Sequence, residues 1–477
     1  MITPSENTAT RHLPAVRHDA GGHRTVDLRA VIALALPLFV NSSIQALLNL
    51  TDTWFIGRLS TDATAAIGAS YWFVIVAILF FGGPALAVQT LAAQAFGAGD
   101  KRSASRAAWA GVRVMLLVAP AFVLVALLGP SLIGSLNIEA HVAQLAAEYW
   151  FARLLGGAFA VGIWGTTGFF NGIGRTSVTL ALMTFVAVLN AVLNQIFIFE
   201  LGWGIAGSGW ATTAAMGVGL LVSVVLITHP GIDAEFASRS TWRESRAELG
   251  RLFRVGFPIG LFPAIDVAGL AAFQAMQVAA GAVDGAATQI VMMLTSIAYL
   301  PTMGFALAGT TLVGQAIGAG DKDWAGKVGN ATIKLAVGYM GLVTVFLAVI
   351  GPWLIPLFVN ASDPHAGAVI SLGRTLLWFA AGYQIFDGLN LGAGFCLRGA
   401  GDMRVPTLAI LFLSWFGFVP FTHIFTFAPG QGWVDFLPQF GYGAIGGWAV
   451  ALVYCCILGS LIYLRWLSGA WRRINLR

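Results

Sequence analysis

Apolar runs the length of a membrane crossing alternate with short polar stretches along the whole chain. A helix needs roughly 20 apolar residues to cross about 30 Å of hydrocarbon. Twelve runs meet that length, near 30–56, 64–92, 107–134, 145–170, 177–199 and 205–228, then 253–280, 286–315, 328–358, 370–396, 404–427 and 443–467. The pattern predicts an all-α polytopic membrane protein with twelve transmembrane helices. Prolines inside the runs (Pro37, Pro84, Pro258, Pro263, Pro301, Pro420) mark expected bends.

The runs come in two sets of six because the chain repeats itself. Gln94-Ala95-Phe96-Gly97-Ala98-Gly99-Asp100-Lys101 returns as Gln315-Ala316-Ile317-Gly318-Ala319-Gly320-Asp321-Lys322, an offset of 221. Pro37 maps to Pro258 and Arg153 to Arg374 at the same offset. Duplicated halves that rock about a site between them are the usual frame of a secondary carrier. The expected organisation is a cytoplasmic tail 1–26, a first lobe 27–230, a cytoplasmic linker 231–249, a second lobe 250–468 related to the first by a pseudo-twofold axis, and a basic tail 469–477.

Composition agrees with burial in lipid. Only 10% of residues are charged, against about 25% in a soluble domain, and the mean hydropathy is +0.81. The 58 glycines suit helices that pack by close backbone approach. A net charge of +5 does not point to nucleic acid, because Lys and Arg gather at both ends and in alternate connections. That is the positive-inside pattern, with both termini cytoplasmic. Residues 1–26 hold no apolar core of signal-peptide length, so the first span is expected to insert itself. Cys396, Cys455 and Cys456 lack metal or redox spacing and read as small buried hydrophobes.

No catalytic or nucleotide-binding pattern accompanies the spans; Gly320 to Gly326-Lys327 has the wrong spacing for a phosphate loop and is followed by Val328. An ion gradient is therefore the expected energy source. Ionisable groups deep in spans are costly and mark pathways, and three stand out: Asp52, Asp266 and Asp387. Asp52 ends a stripe of Asn41, Gln45 and Asn49 at steps of four, four and three, on one helical face. Asn190 and Asn194 on the fifth run and Thr212 on the sixth can add neutral oxygens for a small hard cation. Asp387 has Gln384 and Asn390 beside it at steps of three. If Asp266 and Asp387 share a cavity, their repulsion favours uptake of a proton or Na⁺. Tyr299, Trp164, Tyr383 and Phe386 are the aromatics that can hold a lipophilic cation, though packing and lipid-facing roles are commoner for such residues. Arg153 and Arg374 are placed near span ends.

With these residues in order on a duplicated frame, the chain resembles a multidrug and toxin extrusion (MATE) transporter over about residues 27–468. The carrying motifs are Asn49-Leu50-Thr51-Asp52-Thr53 before Gly57-Arg58, both Gln-Ala-x-Gly-Ala-Gly-Asp-Lys copies, Asn190 to Asn194, Pro258-Ile259-Gly260-Leu261 leading to Asp266, and Gln384 to Asp387 leading to Leu397-Arg398-Gly399-Ala400-Gly401-Asp402. The resemblance implies two six-helix bundles facing each other as a V, and export of lipophilic, often cationic, drug-like molecules against inward Na⁺ or H⁺. It implies a bacterial inner-membrane monomer among lipids, with no cofactor beyond the coupling ion. A first-lobe Na⁺ site would match Asp52, Asn190 and Thr212, but Asn194 stands where one family pattern has Asp. A second-lobe pair would match Asp387 and Asp266, the latter in place of a usual Glu, and shifts the expected coupling there. Gln45, Asn49, Gln384, Tyr299 and Phe386 are the expected substrate contacts. The alternatives are a lipid-linked-oligosaccharide flippase, which would want cationic cavity residues, and a channel, for which no filter-like segment is seen.

Overall fold

The computed structural model describes residues 13–134, 139–359 and 364–476. A short antiparallel hairpin, β1 (Val16–His18) with β2 (Arg24–Val26), precedes the helices. The first half runs through α1 (Leu28–Gly57), α2 (Thr61–Gly97), α3 (Lys101–Leu127), α4 (Gly129–Gly134), α5 (Ala140–Leu155), α6 (Gly157–Gly172), α7 (Thr176–Asn194) and α8 (Gly204–Ile227). Two short helices, α9 (Pro230–Phe236) and α10 (Ser238–Glu244), lead to α11 (Leu249–Ala280), α12 (Ala282–Gly318), α13 (Lys322–Val349), α14 (Gly351–Leu354) and α15 (Ala366–Ala400). The chain ends through α16 (Arg404–Phe412), α17 (Val419–Thr426) and α18 (Gly443–Leu467).

Among the described residues, ten helical stretches are long and apolar enough to cross a membrane. The two expected runs that fall short are the fourth of each half, α5–α6 and α15. They are the polar ones: α5 carries Glu148 and Arg153 and breaks at Gly156, while α15 carries Arg374, Asp387 and Arg398. Among the described residues, two large hydrophobic cores form beside three smaller clusters. One gathers residues from Ile56 to Ile259 with Met403, and the other gathers Val31 with residues from Ile265 to Trp471.

The repeated motif has a structural cause. Gly99 and Gly320 adopt positive φ, +78° and +88°, which ends α2 and α12 in the conformation that glycine adopts most freely. The next residue caps the following helix: Asp100 accepts from the Ser103 amide at 2.9 Å and Asp321 from the Trp324 amide at 2.7 Å. Where the halves meet, the contacts are reciprocal. Gln94 Nε2 donates to the Gly399 carbonyl at 3.0 Å, and Gln315 Nε2 donates to that of Gly172 at 2.8 Å. Thr90 Oγ1 donates to the Arg398 carbonyl at 3.0 Å, and Thr311 Oγ1 to that of Asn171 at 2.9 Å. A side chain on Gly97 would strike the Gln315 carbonyl, and one on Gly318 the Gln94 carbonyl.

The segment between the halves is folded against α3. Trp109 Nε1 donates to the Ser238 carbonyl at 2.6 Å, and Arg113 Nη2 to that of Trp242 at 2.7 Å. Asp284 of α12 accepts from the Ala444 amide at 2.5 Å, in the first turn of α18.

Candidate functional site

Each half holds a polar cluster, and the two differ in kind. In the first half, α1, α7 and α8 converge because short polar side chains replace apolar ones at their contact. Asn194 Nδ2 donates to Asp52 Oδ1 at 2.5 Å and to Asn190 Oδ1 at 3.2 Å. Asn190 Nδ2 donates to Thr212 Oγ1 at 3.1 Å, and Thr212 Oγ1 donates to the Ser208 carbonyl at 3.1 Å. The result is one connected chain from a carboxylate to the backbone of α8. Asn190, Asn194 and Thr212 are buried, and Asp52 is partly exposed. Buried Asn194 Oδ1, Asn41 Oδ1 and Gln45 Nε2 have no protein partner. Unpaired groups of this sort belong where water or a ligand can reach them.

In the second half, α11, α12, α15 and α18 converge on two carboxylates. Tyr454 Oη donates to Asp266 Oδ1 at 3.3 Å, and Asn390 lies one turn along α15 from Asp387. The charge of Asp266 acts on Asp387, and both act on Tyr299 and Cys455. Tyr383, one turn before Asp387 on α15, stacks on Trp448 with ring centres 6.4 Å apart. Among the described residues neither carboxylate has an ion pair. Two acids facing each other in a low-dielectric bundle repel, and a bound proton or Na⁺ relieves that repulsion.

The structure therefore brings Asp52, Asn190, Asn194 and Thr212 together, and separately Asp266, Asp387 and Tyr299. Gln45 is half-buried on α1, and the side chain of Asn49 lies outside the described part of the structure. Gln384 is buried, with neither side-chain atom hydrogen-bonded. Phe386 sits beside Asp387, its carbonyl pressed against Gly459 of α18. Trp164 packs on Gly82 and serves the first core. One residue of the second cluster escaped the sequence reading. Tyr454 carries a phenol that needs a partner in an apolar span, a usable signal. Arg153, expected near a span end, lies in the last turn of α5, and α6 follows after Gly156.

A family model described as MatE matches residues 37–196 and 265–423. The chain is 30% identical over 450 residues to the probable multidrug resistance protein NorM of Pseudomonas putida, covering 92% of this chain and 94% of that one. It is 30% identical over 426 residues to the multidrug resistance protein NorM of Burkholderia vietnamiensis, covering 87% and 88%. Among solved structures, a MATE in complex with MaL6 superposes with a TM-score of 0.80 at 21% identity, covering 93% of this chain and 97% of that chain. An outward-facing multidrug resistance MATE family transporter of the MOP superfamily gives 0.79 at 20% identity, covering 93% and 96%.

Proposed function

This chain belongs to the MatE family, and from that premise we propose that it is a cation-coupled antiporter exporting lipophilic, often cationic, drug-like molecules. The single observation that carries the coupling is the pair Asp266 and Asp387, placed within charge reach of each other and without a cation among the described residues. Either Na⁺ or H⁺ discharges the pair and weakens its hold on a positively charged substrate. By linkage, the substrate weakens the hold on the coupling ion to the same degree. Tyr299 and Tyr383 line the same cluster and offer aromatic faces to an organic cation.

The surrounding frame in this reading is twelve spans in two six-helix bundles related by a pseudo-twofold axis. The reciprocal Gln94 and Gln315 bonds support that symmetry, because a twofold makes each half present to its partner what the partner presents in return. The fourth run of each half then crosses the membrane in spite of its charges, facing the bundle interior. Both termini and the α9–α10 segment lie on the cytoplasmic side of a bacterial inner membrane, as the distribution of Lys and Arg suggests. A tag in the 231–249 segment found outside the cell would refute this orientation.

Dye efflux from inverted vesicles, with a Na⁺ or a pH gradient imposed separately, tests the coupling. Transport should follow one of the two gradients and vanish when it is collapsed. A lipid-linked-oligosaccharide flippase would ignore both and would transport an anionic lipid instead. Asp387→Asn distinguishes them, sparing the flippase and stopping the antiporter.

A further inference from the structure

We propose that Tyr454 is a positioning residue for the coupling ion: its hydroxyl engages one oxygen of Asp266, and a column of aromatic side chains holds it there. The inference rests on the antiporter reading above, in which the second half loads the cation.

The column is continuous and joins the helices that carry both acids. Tyr454 of α18 donates through Oη to Asp266 Oδ1 at 3.3 Å. Its ring stacks on Phe418 with centres 4.6 Å apart and planes at 19°. Phe418 stacks in turn on Phe273 of α11 at 5.5 Å, and Phe273 meets Trp448 of α18 edge to face at 5.8 Å. Trp448 stacks on Tyr383 of α15, one turn before Asp387. Trp448 Nε1 donates to Thr288 Oγ1 of α12 at 3.0 Å, which fixes the plane of the indole. Phe273, Phe418, Trp448 and Tyr454 are all buried, so the rings have neighbours on their faces and little room to turn.

The sequence makes space for this arrangement. Asp266 and Phe273 stand two turns apart on one face of α11. Between them lies Gly269, where a side chain would strike Ser414 Oγ. The segment Leu413–Phe418, between α16 and α17, therefore closes on α11 because position 269 is bare. The first half supplies a contrast. Its echo of Trp448 is Trp210, and the residue six further on, where the second half has Tyr454, is Met216. A thioether has no proton to donate, and Asp52 takes its donor from the Asn194 amide instead.

A donor on a carboxylate favours its charged form and so opposes uptake of a cation or a proton. Tyr454 thereby keeps the hold of Asp266 on the ion weak enough for release. The column keeps the phenol from swinging away when the ion arrives.

Tyr454→Phe tests this, because it keeps the ring and its stacking and removes only the hydroxyl. The readout is the concentration of the driving ion, Na⁺ or H⁺, at half-maximal dye efflux in vesicles. We expect it to fall about tenfold, the lower end of what a hydrogen bond to a charged group contributes, with a lower maximal rate as release slows. Phe418→Leu keeps the hydroxyl and removes its backing, so it should shift the half-saturating concentration the same way by less. On the Tyr454→Phe background it should add nothing. If Phe418→Leu does not fold, Phe273→Leu, one ring further along, takes its place. A half-saturating concentration that stays the same or rises in Tyr454→Phe overturns the role, and so do additive shifts in the double variant. A wild type whose efflux follows neither gradient overturns the antiporter reading and this role together. A gradient-driven wild type with Tyr454→Phe unchanged overturns the role alone.

Discussion

The two halves share backbone devices and differ in what fills their pockets. The offset of 221 that aligns Gly99 with Gly320 and Asp100 with Asp321 also pairs Asp52 with Phe273, and Asp266 with Gln45. So the acid on the first helix of each half sits at a different height. Phe273 stacks on Phe418 at 5.5 Å, a packing contact where the first half has its carboxylate. Turns and close helix crossings stay alike because both halves need the same geometry to meet. Pocket side chains are free to diverge, and here one pocket holds a hydrogen-bonded chain that ends on a single carboxylate while the other holds two carboxylates.

The largest test of that asymmetry is Asp387→Asn. Gradient-driven dye efflux should be abolished, with substrate binding still measurable but indifferent to Na⁺ and pH. Asp266→Asn should act in the same direction and more mildly, since the Tyr454 hydroxyl can still bond the amide that replaces the carboxylate. Asp52→Asn should reduce transport partially while leaving membrane insertion intact, because a neutral amide is easier to bury than a charge. Initial rates of efflux at matched expression rank the three; Asp52→Asn proving the most severe would invert the comparison. Where the halves are alike, effects should be alike. Gly97→Ala and Gly318→Ala each drive a methyl into the partner glutamine's carbonyl, so both should lower melting temperature and transport by similar amounts. The smallest expected effect is Arg374→Met, exposed and bonded to one carbonyl, with a stability change within about 0.5 kcal/mol and no change in ion binding.

Much of this was legible in the sequence. Hydropathy and the repeat place the helices, and the cost of buried charge singles out Asp52, Asp266 and Asp387. The polar chain from Asp52 to Thr212 joins three helices, yet residue types alone indicated its members. The neighbourhoods were less visible. No periodicity reports that α5 breaks at Gly156 against Thr213 of α8. Tyr454 comes from the last helix, and its approach to Asp266 is a product of tertiary packing. Thr90, Gln94, Thr311 and Gln315 were seen as part of a repeat or passed over, because nothing local shows that they bond across to the other half. Residue cost is a local property and can be read in one dimension; partnership is not.

The join between the halves has one more consequence. Many of its hydrogen bonds run from side-chain amides and hydroxyls to carbonyls of the opposite half, so each such donor finds an equivalent acceptor in water once exposed. Such a bond contributes only about 0.5–1.5 kcal/mol net, and breaking it leaves a wettable face. A greasy seam of the same area would resist parting in proportion to the surface it uncovers. A zip of polar teeth holds register while closed and exchanges with solvent tooth by tooth while opening. Reversibility of that kind is a material property of the hydrogen-bonded part of the seam, which lies alongside apolar contacts such as those of Ala35 and Leu38 with Ala308.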